Sequence, residues 1–195
     1  MQTYFSAAPT AFTFEPTVLG SGTCSGTLYR AIPHSSDAPL ASNYSLAQGG
    51  RWNPAASFPV IYTGASQQVV RSYLDWRATF YGVPLCDYQP EDLPDLVVMS
   101  FTGTVADVAT DSGLVHYGLP VEYPVGYPAG QHAATQPIGL SIFKAGFCGI
   151  VTRSATVTSW NDPIHRWAEV AIFATQSPQP QVLERIPFAD WYEYA

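Results

Sequence analysis

The sequence predicts an α+β fold in which short strands outnumber helices. Seventeen prolines punctuate many brief apolar runs, which leaves few stretches long enough for a helix. One segment, Ser66 to Tyr81, is nevertheless a well-bounded helix. Leu96–Val105 and Trp167–Thr175 have the apolar or alternating character of strands. At 195 residues, 47% of them hydrophobic, the chain fits one domain with a substantial core, and no repeat or linker divides it.

In chain order, Met1 to Gly26 read as an irregular arm packed by Phe5, Phe12 and Phe14. Thr27 to Ile32 alternates like a strand and stops at Pro33, with Leu28, Arg30 and Ile32 on one face. An arginine beside two aliphatics is either buried and paired or lines a pocket. A polar loop, Ser35 to Leu46, follows. The helix then takes Ser66 as N-cap and Gly82-Val83-Pro84 as its stop. Its apolar stripe is Val69, Tyr73, Trp76 and Phe80, so Tyr73 is expected to face inward and Asp75 to lie on the far side. Thr110 to Gln131 is a long irregular connection, Thr135 to Ala145 a helix, and Gly149 to Thr152 a strand. In the last strand Trp167, Glu169, Ala171 and Phe173 share one face, and Ala168, Val170, Ile172 and Ala174 the other. The residues ending Trp191-Tyr192-Glu193-Tyr194 are expected to form a terminal strand or tail.

The stretch Gln48 to Tyr62, Q-G-G-R-W-N-P-A-A-S-F-P-V-I-Y, is one that composition alone would not produce. Gly49-Gly50 permits close approach of the backbone, Arg51 offers a fork of donors, and Trp52 a flat surface with one donor. Asn53-Pro54 makes a turn into the strand run Val60-Ile61-Tyr62. Two readings are open. The stretch is a loop holding an anionic, partly flat molecule, or a surface turn in which Arg51 pairs with a carboxylate and Trp52 packs on the core.

A net charge of -7, with eight Lys and Arg, argues against direct nucleic-acid binding. No apolar run has the length of a membrane span, and no secretory leader opens the sequence, so a cytoplasmic protein is expected. Cys24, Cys86 and Cys148 have no metal-ligand spacing and read as free thiols. His34, His116, His132 and His165 are scattered through loops, so no metal site is expected.

Several blocks stand in a characteristic order: L-Y-R at Leu28–Arg30, G-G-R-W-N-P at Gly49–Pro54 followed by the strand ending in Tyr62, T-Q-P-I-G at Thr135–Gly139, and G-I-V-T-R-S-A at Gly149–Ala155. Together they resemble the RES-domain family, over roughly Leu28 to Ile172. The resemblance implies an ADP-ribosyltransferase-like fold, a mixed, split β core with short helices around a cleft for NAD. It also implies a toxin neutralised by an Xre-type antitoxin, often in dimers or larger assemblies. Such proteins consume NAD by hydrolysis or phosphorolysis of the nicotinamide bond, or transfer ADP-ribose to a protein. By position, the family's arginines match Arg30 and Arg51, its strand tyrosine Tyr62 and its serine Ser154. The family glutamate falls at Tyr73, where this sequence departs from the pattern. Glu169 and Asp75 are the candidate replacements, Asp75 only with a shift of helix register.

Cleaving the nicotinamide bond leaves positive charge on the ribose, so the chemistry asks for anion-binding groups at the diphosphate and a carboxylate beside the sugar. The expectation is that Arg30 and Arg51 converge on the diphosphate within a loop of Gly50, Trp52 and Asn53. Tyr62 would then stack near nicotinamide, Ser154 bond the ribose or carboxamide, and Glu169 or the Tyr73 hydroxyl stand at the ribose. The alternatives are a catalytically silent module that binds a nucleotide or a partner, and a Trp- and Tyr-rich carbohydrate-binding domain.

Overall fold

Alternation of apolar residues builds two long strands, and the rest of the sheet is hung on them. A computed structural model of the chain describes residues 10–17, 20–124, 132–157 and 167–192. Strand β1 (Thr13–Pro16) pairs antiparallel with β2 (Ser21–Pro33), and β2 pairs along its whole length with β4 (Pro94–Val108). Between them lie α1 (Asn43–Gln48), β3 (Val60–Gly64) and α2 (Gln67–Tyr81). Beyond β4 come α3 (Asp111–His116), α4 (Thr135–Lys144), β5 (Gly149–Arg153), β6 (Ala168–Phe173), β7 (Gln181–Ile186) and α5 (Phe188–Trp191).

The sheet runs β1-β2-β3-β6-β5-β4-β7, and the added β2–β4 pairing brings β2, β3, β6, β5 and β4 round into a ring. The ring is thin at one join, where β2 and β3 share the single pair Tyr29–Gly64. The β4–β5 pairing is parallel and the other pairings are antiparallel. This is the α+β architecture that the sequence predicts.

Each strand's two faces serve different cores. Leu28, Ile61, Met99, Val151, Val170 and Ile172 fill one cluster. Val60, Ala106, Ile150, Ala171 and Phe173 point the other way, to meet Trp52, Phe58, Leu114 of α3 and Ile142 of α4. Five strands cannot enclose helices, so this helix-covered face is the outside of the ring. The face division expected for the last strand is the one found.

Helix α2 starts and stops as expected. Ser66 Oγ accepts from Val69 N at 3.3 Å, and Gly82 closes the helix in the left-handed region at φ 65°. Its buried side is different. Val69, Val70 and Leu74 are buried, whereas Tyr73 and Phe80 are 46% and 60% exposed. The cause is α5, which brings Phe188 and Tyr192 against Leu74 and so decides which side of α2 is covered. Tyr73, Trp76 and Phe80 instead stack on one another along the outside, with ring centroids 5.9 and 5.1 Å apart.

Other expectations need correction. Strands occupy Thr13–Pro16 and Ser21–Gly26, within what was read as an irregular arm; Phe12 and Phe14 are buried as expected, and Phe5 lies outside the described residues. The loop before the glycine-arginine segment contains α1, and the connection after β4 contains α3. The C-terminal segment provides β7 and the helical turn α5. Among the described residues no helix is long and apolar enough to cross a membrane.

The β7 edge is fastened by a buried carboxylate. Asp95 accepts from Arg185 Nε at 2.6 Å and lies 3.0 Å from His34 Nδ1, while Arg185 also donates to the carbonyls of Ser36 and His34. Burial pushes the Asp95 carboxyl up, but His34 and Arg185 outweigh it and hold it below the usual range. A depressed folded-state value stabilises the fold above the unfolded pKa of about 3.9, and that contribution is lost as pH falls through the folded value. Asp95→Asn is therefore expected to cost about 3 kcal/mol at pH 7 and to flatten the loss of stability below about pH 4. Urea unfolding of both proteins between pH 7 and pH 3 checks it; parallel pH profiles would refute it.

Candidate active site

The glycine-arginine loop is locked in place before it does anything else. Asn53, fully buried, donates from Nδ2 to Ser45 O at 2.7 Å and Phe58 O at 3.0 Å, tying α1 to the strand that follows. Its Oδ1 accepts from the Tyr62 hydroxyl at 2.9 Å, and that hydroxyl accepts from Trp52 N at 3.0 Å. Gly50 packs so closely on the Tyr62 ring that a Cβ there would sit 2.6 Å from its oxygen. From the other side α4 grips the same backbone. Thr135 Oγ1 donates to Arg51 O, and Gln136 Nε2 donates to Gly50 O at 3.0 Å and Asn53 O at 3.3 Å. A Cβ on Gly139 would overlap the Trp52 carbonyl. Trp52 is at 0% exposure, in the core between the loop and Tyr123.

With its backbone fixed on both sides, the loop aims Arg51 across the outer face of the sheet. Register puts Tyr62 and Gly64 of β3, Ala171 and Glu169 of β6, and Ile150 and Thr152 of β5 on that face. Arg51 Nη1 donates to Glu169 Oε2 and to Arg153 O, each at 3.0 Å, and Nε donates to the Tyr123 hydroxyl at 2.6 Å. Its guanidinium carbon stands 4.8 Å from the centre of the Tyr123 ring. The Arg51 and Glu169 side chains are only 13% and 22% exposed, so the pair is largely out of water. The buried Nη2 has no hydrogen-bond partner among the described residues. Burial drives the Tyr62 phenol well above its ordinary range, which keeps it neutral.

The sequence profile of the RES domain matches residues 27–191. The chain belongs to the RES-domain family. Three chains of solved structures match this RES domain. One is a chain of the M. tuberculosis MbcT–MbcA toxin–antitoxin complex, with a TM-score of 0.67 and 20% identity, covering 91% of this chain and 86% of that one. At that identity the likeness is one of fold. A comparison with curated proteins found no match.

The family blocks thus have a mechanical sense in this RES domain: the T-Q-P-I-G block is the clamp on the G-G-R-W-N block. The structure brings Gly50, Arg51, Trp52, Asn53, Tyr62 and Glu169 together. Trp52 and Asn53 serve as buried supports in it, with no open surface for a ligand. The two sequence readings of the loop are partly both met, since Arg51 does pair with a carboxylate and Trp52 does pack on the core, yet the pair is half-buried and the loop is not a surface turn.

The remaining candidates lie around this cluster or apart from it. Tyr73 borders it from α2: although the residue is 46% exposed, protein packed around its phenol raises the pKa first, Arg77 lowers it, and Tyr81, Glu169 and Tyr44 raise it further. Asp75 is elsewhere, accepting from the Tyr192 hydroxyl and 4.0 Å from Arg71, and so takes no part. Ser154 is fully buried at the end of β5, its hydroxyl 3.1 Å from that of Thr156 and accepting from Thr156 N at 3.3 Å. Arg30 projects from β2 with Leu28 and Ile32, to the opposite sheet face from Tyr62 and Glu169. Its guanidinium donates to Pro39 O at 3.2 Å and Ala41 O at 2.7 Å and meets no carboxylate among the described residues. None of these contacts joins Arg30 to Arg51.

Three participants escaped sequence reasoning. Tyr123 comes from the long connection, and nothing in its neighbourhood marks it. Arg153 contributes its carbonyl, while its side chain pins Ala109 O at 2.7 Å, Val121 O at 2.5 Å and Asp111 at 2.5 Å. His132, taken for an ordinary solvated histidine, is half-buried and lies within the field of Arg51; burial first, then that charge, disfavours its protonated form. Thr135 Oγ1 also reaches His132 O at 3.3 Å, which links the two backbones.

The clamp predicts the effect of a single methyl group. Gly139→Ala must push α4 off the Trp52 carbonyl, at a cost of about 1–3 kcal/mol from overpacking. Thermal unfolding, with near-ultraviolet circular dichroism of the aromatic cluster, is expected to show a lower midpoint and a weakened signal. An unchanged midpoint would show that the clamp is not under this constraint.

Proposed function

We propose that this RES domain consumes NAD by cleaving the bond between nicotinamide and ribose. The observation that carries the reading is the Arg51–Glu169 pair, half-buried beside Tyr123 and Tyr62, with one guanidinium nitrogen that has no acceptor among the described residues. Membership of the family supports the same class of activity.

In the proposed reaction the C1′–N bond breaks, nicotinamide leaves neutral with the bonding electrons, and an acceptor oxygen bonds to C1′ and gives up its proton to solvent. The acceptor is water or phosphate for a glycohydrolase or phosphorylase, and a protein side chain for an ADP-ribosyltransferase. Charge builds on the ribose, and Glu169 is the carboxylate on hand to meet it. Arg51 holds Glu169 in one orientation and offsets part of its field. A phosphate beside Arg51 would face Glu169 as well, so we assign Arg51 to the nicotinamide end. The diphosphate is assigned to Arg30, a partly buried cation without a carboxylate partner among the described residues. Because Arg30 projects from the other sheet face, the dinucleotide has to pass the thin join between β2 and β3, beyond the single pair Tyr29–Gly64. The Tyr62 hydroxyl is already spent on Trp52 and Asn53, which leaves its ring to contact nicotinamide. Tyr73, where the family has its glutamate, can bond the sugar but brings no charge. An antitoxin of Xre type is the partner proposed on the same family grounds.

A silent binding module is the second reading. It is favoured by the engaged Ser154 hydroxyl and by the neutral Tyr73 at the glutamate position.

Nicotinamide release from NAD separates the two. The parent is expected to release it, Glu169→Gln about 100- to 1,000-fold more slowly, and Arg30→Ala with raised KM. Glu169→Gln also leaves Arg51 without a counter-charge, so its folding must be checked by circular dichroism. A folded parent that releases no nicotinamide over hours, and does not lower cellular NAD when expressed, would leave the silent reading.

A further inference from the structure

Four buried side-chain atoms lack a hydrogen-bond partner among the described residues: Arg51 Nη2, Trp52 Nε1, Thr152 Oγ1 and Trp167 Nε1. Arg51 bonds Glu169, and Thr152 lies directly opposite Glu169 in the β5–β6 register. Residues so paired have Cβ atoms about 4.5–5.5 Å apart and point to the same side. Arg51 also bonds the carbonyl of Arg153, the residue next to Thr152, so its guanidinium lies over this pair of strands.

The Thr152 hydroxyl has no packing reason to exist. On that face Val108 of β4, Ile150 of its own strand and Ala171 of β6 are aliphatic, and Glu169, directly opposite, makes no hydrogen bond to the hydroxyl. Valine has the same shape and would fill the position without stranding an oxygen at 0% exposure. A polar atom kept at a cost to stability, beside a donor also without an acceptor, marks a place where a ligand supplies the missing partners.

We infer that Arg51 Nη2 and Thr152 Oγ1 together bind a primary carboxamide, which under the NAD reading above is that of nicotinamide. Arg51 can only donate and so takes the amide oxygen. The amide nitrogen carries two hydrogens, for Thr152 Oγ1 and for the Glu169 oxygen that Arg51 does not use. A carboxylate in the same place would be repelled by Glu169, and a lone hydroxyl would satisfy one atom and strand the other. Both atoms are closed off from solvent in the unliganded chain, so the half-buried Arg51–Glu169 pair, with side chains 13% and 22% exposed, has to shift to admit the group.

The test is binding of carba-NAD, in which the nicotinamide bond cannot be cleaved, to the parent, Thr152→Val and Thr152→Ser. Thr152→Val is expected to bind about 10-fold more weakly, while its unliganded thermal midpoint rises by about 2–4 °C. Thr152→Ser restores most of the affinity. As competitors, nicotinamide is expected to weaken in Thr152→Val, whereas 3-acetylpyridine, with a methyl group in place of the amide nitrogen, binds parent and variant alike. Equal carba-NAD affinity in parent and Thr152→Val overturns the inference and spares the NAD reading. A lower midpoint in Thr152→Val also overturns it, because the hydroxyl would then be structural. A parent that binds no carba-NAD removes the NAD reading and this inference with it.

Discussion

The outer face of this sheet is organised by one ion pair that water barely reaches. Taking Arg51 and Glu169 out of solvent is costly, and their attraction repays it only if the geometry is held tightly. Much of the surrounding structure does that holding. Tyr123 and the Arg153 carbonyl fix the guanidinium, Asn53 and Tyr62 fix the turn that follows it, and α4 holds the loop from its other side. Residues from distant parts of the chain are spent on the placement of a single cation.

Negative charge on the strand gives this RES domain a different balance from the pattern its family is named for. Where the family resemblance implies a helical glutamate, α2 offers Tyr73, a phenol whose pKa is raised first by desolvation. The acid that stands beside Tyr62 and Tyr123 is on β6, joined to a permanent cation. A carboxylate on a strand inside a ring has little freedom to move, whereas one on a helix flank can swing. The chemistry that this arrangement can support is therefore one in which the substrate is brought to the charge.

The sequence carried the parts of this picture that repeat locally. Period-two alternation placed Glu169 on the face it occupies, and Ser66 and Gly82 bounded α2 correctly. The family blocks named Arg51 and Tyr62. Contacts across long separations were invisible: Tyr123 reaches Arg51 from a stretch of prolines and glycines with no period of its own. The stripe of α2 was misjudged for the same reason, since Phe188 and Tyr192 decide which side is covered and lie at the far end of the chain. Arg30 stands out on its strand in the sequence, but alternation cannot say on which side of a closing sheet it lies relative to Arg51.

The ring also sets an order of assembly. Strand β2 has its full-length partner only in β4, and Arg51 meets Glu169 only when β6 has joined β3. Closing such distant loops is slow, and a chain leaving the ribosome presents its early strands first. A nascent polypeptide therefore carries the cation long before the acid arrives, and the catalytic surface proposed above comes into being only once β6 has been made and has paired with β3.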